Sequence, residues 1–150
     1  HGLLDLKIEA YGDLQVDAHH TVEDIGILLG EAFKEALGNK KGINRYGSAI
    51  VPMDDALVLA AVDFSGRSFL SFEVPLGEGK VGADFDLELA EEFFLALSRA
   101  GINIHLRSLA GKNRHHLLEA TFKAFGRAVR EAVTIDPRRV GIPSTKGILI

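Results

Sequence analysis

Residues 19–36 read HHTVEDIGILLGEAFKEA, and residues 115–132 read HHLLEATFKAFGRAVREA. The two stretches align without a gap at an offset of 96 residues, and both begin with a His-His-x-x-Glu motif. Matching residues continue to the end of each stretch: Gly30 with Gly126, Ala32 with Ala128, Lys34 with Arg130, Glu35 with Glu131, and Ala36 with Ala132. This in-register repeat indicates a duplicated structural unit. It does not indicate a solenoid, because its period is too long and its copies are too few.

The hydrophobic pattern around the repeat predicts an α+β fold. Apolar residues of Thr21–Leu37 recur at helical spacing, and Gly38-Asn39 is typical of a helix end. Asp54-Asp55 and Ser65-Gly66 are predicted hairpin turns. Further helices are predicted at 87–100 and 115–133, and strands at 4–10, 14–16, 48–53, 56–64, 68–74 and 102–106. We expect an antiparallel or mixed sheet with the helices packed on one face.

The domain organisation follows from length and from the repeat. The 150 residues suffice for one domain, and no Pro-, Gly- or Ser-rich linker divides them. We predict a single catalytic domain over 1–150 made of two repeated halves. Residues 1–46 are the expected truncated first half, and residues 47–150 are the second half with a C-terminal tail.

Composition excludes several classes of function. The net charge of -4 gives no electrostatic footprint for nucleic acid. The absence of cysteine removes disulfides, zinc-thiolate sites, iron–sulfur clusters and thiol nucleophiles, and it fits a cytoplasmic protein. No apolar run approaches the roughly 20 residues that span a bilayer, so no membrane association is expected.

The paired histidines predict metal binding. Glu23 follows His19 by four residues and His20 by three, so its carboxylate can lie near either imidazole. Adjacent helical side chains diverge by about 100°, so one pair cannot easily clamp one ion. Two motifs could therefore build two metal sites, each using both copies or neighbouring subunits. Imidazole with carboxylate suits Mn, Fe or Zn better than Mg or Ca.

The alternative for a single motif is a surface or helix-capping role. The duplicate favours metal binding, because both copies keep His and Glu while their apolar residues change.

Four stretches of the sequence resemble the signatures of one enzyme family. They are 17–24 (DAHHTVED), 52–57 (PMDDAL), 110–124 (AGKNRHHLLEATFKA) and 143–147 (PSTKG). Together they resemble imidazoleglycerol-phosphate dehydratase over essentially the whole chain.

The resemblance implies a fold of two ribosomal protein S5 domain 2-like halves and an activity in the sixth step of histidine biosynthesis. The expected reaction is dehydration of D-erythro-imidazoleglycerol phosphate to imidazoleacetol phosphate, through a Mn-bound imidazolate and a diazafulvene-like intermediate. It also implies two Mn(II) ions per active site and a cytoplasmic homo-oligomer of 24 subunits, with sites at subunit interfaces.

The resemblance carries over to individual residues. Glu23 and Glu119 are the expected catalytic carboxylates. The implied metal ligands are His19, His20, Glu23, His115, His116 and Glu119. The implied substrate-binding residues are His1, Arg45, Arg67, Lys123, Ser144, Thr145 and Lys146.

Other residues receive expectations of a different kind. Glu92 stands where many members have a histidine, and we expect that it could replace this histidine as a metal ligand. Asp54 and Asp55 are interpreted as turn residues, and His105 as a structural strand residue. The family's chain begins earlier, with a further metal-ligand histidine and a catalytic glutamate, so residues upstream of His1 are expected.

Two other hypotheses remain open. The chain could be a catalytically incomplete metal-binding or assembly remnant of the same fold, which would bind metal without turnover. It could also be a phosphate-ligand binding module, whose binding would be indifferent to a chelator.

Overall fold

A mixed four-stranded sheet forms the centre of the computed structural model, which describes residues 1–82 and 85–149. In chain order the elements are α1 (His19–Leu37), β1 (Tyr46–Met53), β2 (Ala56–Asp63), β3 (Phe69–Glu73), β4 (Lys80–Val81), β5 (Phe85–Asp86), α2 (Leu89–Ser98), β6 (Asn103–Ala110) and α3 (Arg114–Val133). The sheet order is β1-β2-β6-β3, and β4 pairs with β5 separately. Only β3 and β6 run parallel within the large sheet.

Alternation along the central strands explains why helices pack on the sheet. Ala60 of β2 faces Leu106 of β6 across the ladder, and both are fully buried. His105 and Arg107 occupy the alternate positions of β6 and are exposed. Helix α3 packs on β1 and β2, and α2 packs on β3. The α+β prediction with helices on one face is therefore confirmed, and the sheet is the mixed alternative.

Helix α1 packs closely on α2 through two glycines. A Cβ atom at Gly26 would lie 2.7 Å from the Phe93 carbonyl oxygen, and one at Gly30 would lie 2.9 Å from the Leu97 carbonyl oxygen. Glycine is needed at both positions because a side chain would strike the backbone of α2. None of the helices that the structure describes combines the length and the apolar composition needed to span a bilayer.

Helix boundaries largely follow the sequence signals. Helix α1 begins at His19, two residues before the predicted start, and Gly38 ends it with a positive φ of 47°. The predicted helix at 115–133 is confirmed as α3. The predicted helix at 87–100 is shorter, and the strand predicted at 102–106 continues to Ala110.

The two predicted N-terminal strands are wrong. Residues 4–10 form no strand, and residues 14–16 form a turn in which Val16 N donates to the Asp13 carbonyl oxygen at 2.7 Å. Leu6 and Ile8 instead border an open groove along α1. A strand needs a neighbour with unpaired backbone groups, and the backbone groups of a helix are already bonded to one another.

The predicted hairpin at Ser65-Gly66 is also wrong. Strand β3 pairs with β6 in parallel and is not a neighbour of β2. Gly66 lies against Gly101, where an added Cβ atom would be 2.8 Å from the Gly66 backbone. The turn at Ser65-Gly66 therefore begins the connection from β2 to β3, which lies at the far edge of the sheet. By contrast, Asp54-Asp55 forms the predicted hairpin between β1 and β2.

Candidate functional site

The second His-His-x-x-Glu motif opens helix α3 with a side-chain cap. Asn113 Oδ1 accepts hydrogen bonds from His115 N at 3.0 Å and from His116 N at 3.3 Å. Such a cap satisfies backbone donors that the first turn leaves free. The two imidazole rings then diverge, with centroids 6.0 Å apart and planes at 65°. The divergence expected from helix geometry is therefore present in this motif.

His116 lies against the β1–β2 turn. Its Nδ1 is 2.7 Å from Asp55 Oδ1, and its Nε2 is 3.3 Å from Asp54 Oδ2. Asp55 Oδ2 also accepts hydrogen bonds from Lys112 N at 2.7 Å and from Asn113 N at 3.0 Å. These backbone donors, together with His116, hold the pKa of Asp55 well below its usual range. Asp55 is therefore a fixed, ionised acceptor beneath the imidazole.

Glu119 is shared between a histidine and a lysine. Its Oε2 lies 3.3 Å from His115 Nε2, and its Oε1 lies 2.6 Å from Lys123 Nζ. The hydrogen bond from Lys123 is the main reason why the pKa of Glu119 lies below its usual value. Lys123 Nζ also lies 3.2 Å from Met53 Sδ, on the strand that leads into the Asp54-Asp55 turn. The second motif thus presents an ionised carboxylate beside two imidazoles.

The first motif begins helix α1 and makes fewer stabilising contacts than the second motif. Asp17, which the repeat aligns with Asn113, accepts a hydrogen bond from His19 N at 2.8 Å. His20 Nδ1 lies 3.2 Å from Asp13 Oδ2, and this hydrogen bond raises the pKa of His20. The His20 side chain is 68% exposed, whereas that of His116 is 23% exposed.

Glu23 is held from another helix. Its Oε1 accepts a hydrogen bond from Arg99 Nη1 at 2.8 Å, at the end of α2. Its counterpart Glu119 is bound within its own helix, so the two glutamates have different cationic partners. The structure thus places both predicted carboxylates near the starts of their helices; Glu119 contacts a histidine of its motif, whereas the described contact of Glu23 is with Arg99.

The two motifs do not converge within one chain. Among residues 1–82 and 85–149, no three histidine, aspartate or glutamate side chains gather in a group that could hold a metal ion. His20 borders the groove along α1, and Glu119 borders a different groove with Phe122 and Gly126.

Most of the residues that the family resemblance assigns to substrate binding come together. Five of the seven line one cavity of about 800 Å³ beside Arg139 and Pro143: Arg45, Arg67, Ser144, Thr145 and Lys146. The tail loop 143–147 bends through hydrogen bonds from Gly147 N to the Ser144 carbonyl oxygen at 3.1 Å and from Lys146 N to Ser144 Oγ at 3.2 Å.

Arg45 is more constrained than its sequence position indicates. Its Nε and Nη2 donate to the two carboxylate oxygens of Asp63 at 2.7 and 3.0 Å, which raises the pKa of Arg45. Its Nη1 donates to the Pro143 carbonyl oxygen at 3.0 Å. Arg45 therefore connects the end of β2 to the tail that carries Ser144 and Lys146.

The remaining predicted residues lie at several places. His1 borders the same groove as Glu119 and Lys123. Glu92 is half-buried in the first turn of α2, and its role as a ligand stays a prediction. His105 lies on β6 as expected, with its ring 5.3 Å from the ring of Phe69.

Three aspartates at these places were not predicted as site residues. Asp55 contacts His116 across 61 residues of sequence, and Asp63 contacts Arg45 across 18. No local spacing could reveal contacts that depend on strand pairing. Asp13 lies only seven residues before His20. It falls between the strands predicted at 4–10 and 14–16, which the structure does not contain, so its contact with the helix start was not predicted.

Comparison with known proteins identifies the family. Residues 1–129 match the family model described as imidazoleglycerol-phosphate dehydratase. The imidazoleglycerol-phosphate dehydratase of Moorella thermoacetica is 64% identical over 150 residues, covering 99% of this chain and 76% of the relative. That of Pelobacter propionicus is 59% identical over the same shares of the two chains.

Solved structures agree with the sequence comparison. The crystal structure of imidazoleglycerol-phosphate dehydratase from Staphylococcus aureus superposes with a TM-score of 0.78 at 46% identity, covering 85% of this chain and 72% of that one. A Pyrococcus furiosus structure gives a TM-score of 0.75 at 42% identity, covering 87% and 71%. The paired motifs and these relatives show that the chain belongs to the imidazoleglycerol-phosphate dehydratase family, whose members are hydro-lyases of histidine biosynthesis.

Proposed function

We propose that this chain dehydrates D-erythro-imidazoleglycerol phosphate to imidazoleacetol phosphate with the help of two Mn(II) ions per active site. One observation carries the proposal. Both motifs stand at the start of a helix, with the second imidazole held by an aspartate through Nδ1 and a glutamate one turn further along. The chain thus carries two copies of the same arrangement of imidazole and carboxylate donors.

The donor chemistry of the motifs fits manganese. Imidazole nitrogens combined with carboxylate oxygens suit Mn(II), whereas Mg and Ca prefer oxygen ligands alone. Nδ1 of His20 and of His116 is hydrogen-bonded to aspartate, so Nε2 is the nitrogen that would face an ion. In His116 this Nε2 lies 3.3 Å from the exposed carboxylate of Asp54, on the side where the ion would bind. The side chains that would hold the ions are His19, His20, Glu23, His115, His116 and Glu119, with Glu92 as a further candidate.

We propose that a complete ligand set combines the motifs of more than one subunit. The motifs do not gather three ligands within residues 1–82 and 85–149, and adjacent histidines diverge in each. We propose that motifs of neighbouring subunits complete each other's sites in a homo-oligomer. The 24-subunit assembly implied by the family resemblance is the expected form.

The reaction needs a proton acceptor and an electrophile. When bound, the metal supplies Lewis acidity at the substrate imidazole and fixes its position. Glu119, held between His115 and Lys123, is positioned to accept the proton lost from carbon through a carboxylate oxygen that the metal does not occupy. Glu23 is the equivalent carboxylate of the other motif, and the salt bridge from Arg99 keeps it oriented in the free chain. His1 and Lys123 border the same groove and are proposed to contact the substrate.

The phosphate is proposed to bind in the cavity at the tail loop. Arg67 and Lys146 supply positive charge there, and Ser144 and Thr145 supply hydroxyl donors. The guanidinium of Arg45 is largely committed to Asp63 and Pro143. We therefore propose that Arg45 both adds charge and holds the tail loop in place.

Metal analysis and turnover on the same samples test this function. We expect about two Mn(II) per chain and turnover that stops in chelator and returns with Mn(II). His20→Ala/His116→Ala should lose both metal and turnover. The matched control is His105→Ala, since His105 is exposed on β6 and contacts Phe69. Metal-free protein that stays folded and active would contradict the proposal. Metal bound without turnover would instead support the catalytically incomplete remnant.

A further inference from the structure

The carboxylate of Asp55 lies behind the second histidine of the α3 motif, and it makes more contacts than a hairpin turn requires. Asp55 Oδ2 is fixed by the backbone N–H groups of Lys112 and Asn113, at 2.7 and 3.0 Å. Its other oxygen, Oδ1, lies 2.7 Å from His116 Nδ1. The backbone bonds hold the carboxylate in position whether or not the imidazole is present. The contact with His116 is therefore an additional interaction of a group that is already anchored.

The fold brings Asp55 to this place through strand pairing. The β1–β2 hairpin turns at Asp54, which has a positive φ of 47° that aspartate tolerates better than most residues. Strand β2 then pairs with β6, and Leu57 is opposite Ala110. The turn is thus beside the β6–α3 junction, where the motif begins.

The chemistry of the acceptor sets the tautomer of the imidazole. An ionised carboxylate has only acceptor oxygens, so the Nδ1 atom that faces it must carry the proton. A neutral imidazole then has its lone pair on Nε2. The Asp54 carboxylate is 3.3 Å from Nε2 and is not hydrogen-bonded to it, so the shorter hydrogen bond at Nδ1 decides the tautomer. Metal-ligating histidines in proteins commonly donate their second N–H to a carboxylate, which fixes ring orientation and raises ligand basicity.

The first motif makes the same contact with a carboxylate from a different place. His20 Nδ1 faces Asp13 Oδ2 at 3.2 Å. Under the repeat offset of 96 residues, Asp13 aligns with Leu109 and not with Asp55. The repeat therefore does not pair these two aspartates, and Nδ1 of each histidine contacts an aspartate from a different place relative to its motif.

We propose that Asp55 is a positioning residue, which fixes the tautomer and ring orientation of His116 so that Nε2 is presented to the metal. This inference rests on the proposed metal-dependent function. Asp54, whose side chain is 73% exposed and lies on the Nε2 side, has no such anchoring among its described contacts.

The substitution Asp55→Asn separates positioning from folding. The amide oxygen can still accept from the Lys112 and Asn113 N–H groups, so the turn should persist. The amide NH₂ group would then face His116 Nδ1 and donate to it, which moves the imidazole proton to Nε2. We expect Mn(II) affinity, measured by chelator competition on the assembled protein, to fall by about 10- to 100-fold. The midpoint of urea unfolding should stay unchanged.

Two controls isolate the pair. Asp86→Asn removes an equal charge on β5, where the carboxylate contacts Lys80, and should leave the Mn(II) affinity within a few-fold of the parent protein. In a His116→Ala background, Asp55→Asn should cause no further loss, because the two residues act as one unit. Equal losses in Asp86→Asn and Asp55→Asn, or additive losses in the double variant, would overturn the inference in favour of a charge or turn effect.

A metal-free readout keeps this inference distinct from the proposed function. In protein labelled with ¹⁵N-histidine, the His116 signals are those absent from His116→Ala. Their shifts should report the Nδ1–H tautomer in the parent protein and the Nε2–H tautomer in Asp55→Asn. An unchanged tautomer would overturn the positioning role. A tautomer that changes in Asp55→Asn, combined with a parent protein that binds no Mn(II), would instead support the Asp55 contact and contradict the metal-dependent function.

Discussion

The two His-His-x-x-Glu motifs have the same letters but different surroundings. In the second motif, Asn113 caps both histidine N–H groups, and His116 is largely enclosed against the β1–β2 turn. In the first, Asp17 caps one N–H group, and His20 is mostly exposed beside the loop that carries Asp13. The motif specifies which atoms can bind an ion, whereas preorganisation comes from neighbouring elements.

The difference follows from what each helix packs on. Helix α3 lies on β1 and β2, so its first turn meets the hairpin that joins them. Helix α1 packs on α2, and residues 1–18 before it form neither helix nor strand. Within the described chain, only the second motif is therefore supported by the sheet.

The strongest test of equivalence between the motifs uses their glutamates. Glu119→Gln and Glu23→Gln each keep the size of the side chain but remove its charge and basicity. We expect each to lower kcat by about 10²- to 10⁴-fold, the usual contribution of a positioned acid–base group. Steady-state turnover at saturating Mn(II) measures this. A large loss in only one variant would show that a single motif carries out the chemistry. The control is Glu78→Gln, in the loop near β4.

A second test compares the glycines that the repeat aligns. At Gly30, a Cβ would lie 2.8 Å from Ala100 Cβ and 2.9 Å from the Leu97 carbonyl oxygen, so Gly30→Ala should lower the free energy of unfolding by about 1–3 kcal/mol. At Gly126, the nearest atom would be Gly2 N at 3.1 Å, in a segment without regular structure.

Gly126→Ala should therefore be within about 1 kcal/mol of the parent, because the gain in helix propensity offsets a small adjustment. Urea unfolding followed by circular dichroism checks both variants. Equal destabilisation would mean that the two helices are packed alike at these positions, contrary to the comparison.

The smallest expected effect concerns the aspartate behind His20. The His20–Asp13 contact is longer than the His116–Asp55 contact, 3.2 Å against 2.7 Å, and water can replace a partner at so exposed a site. Asp13→Asn should therefore weaken Mn(II) binding by less than about tenfold, below the 10- to 100-fold expected of a well-placed outer partner. Asp24→Asn, one turn along α1, is the charge control. A loss equal to that of Asp55→Asn would erase the distinction between the motifs.

Local patterns predicted the elements whose signals lie within one segment. The apolar spacing of residues 21–37 and the Gly38 end predicted α1, and the strand-like segments on either side of the Asp54-Asp55 turn predicted β1 and β2. The parallel pairing of β3 with β6 was not predicted, because it joins residues more than 30 positions apart. The N-terminal strands were wrongly predicted because residues 4–10 alternate like a strand but lie along a helix.

In the candidate site too, local patterns predicted some features and contacts between distant segments escaped prediction. Spacing within each motif predicted the ligand types, and the family resemblance supplied the residues that line the tail cavity. The aspartates that orient His116 and Arg45 depend on how strands β1, β2 and β6 meet. Such contacts arise from tertiary packing and leave no periodic trace in a single sequence.

If motifs of different subunits complete shared metal sites, mixing two defective subunits should restore some of those sites. His20→Ala and His116→Ala chains are each assembled alone and also unfolded, mixed and reassembled together. Each variant alone should be inactive, and the mixture should regain turnover, because some sites then combine an intact first motif with an intact second motif from another chain. A mixture that reassembles to the same size, binds substrate and stays inactive would rule out sites shared between subunits.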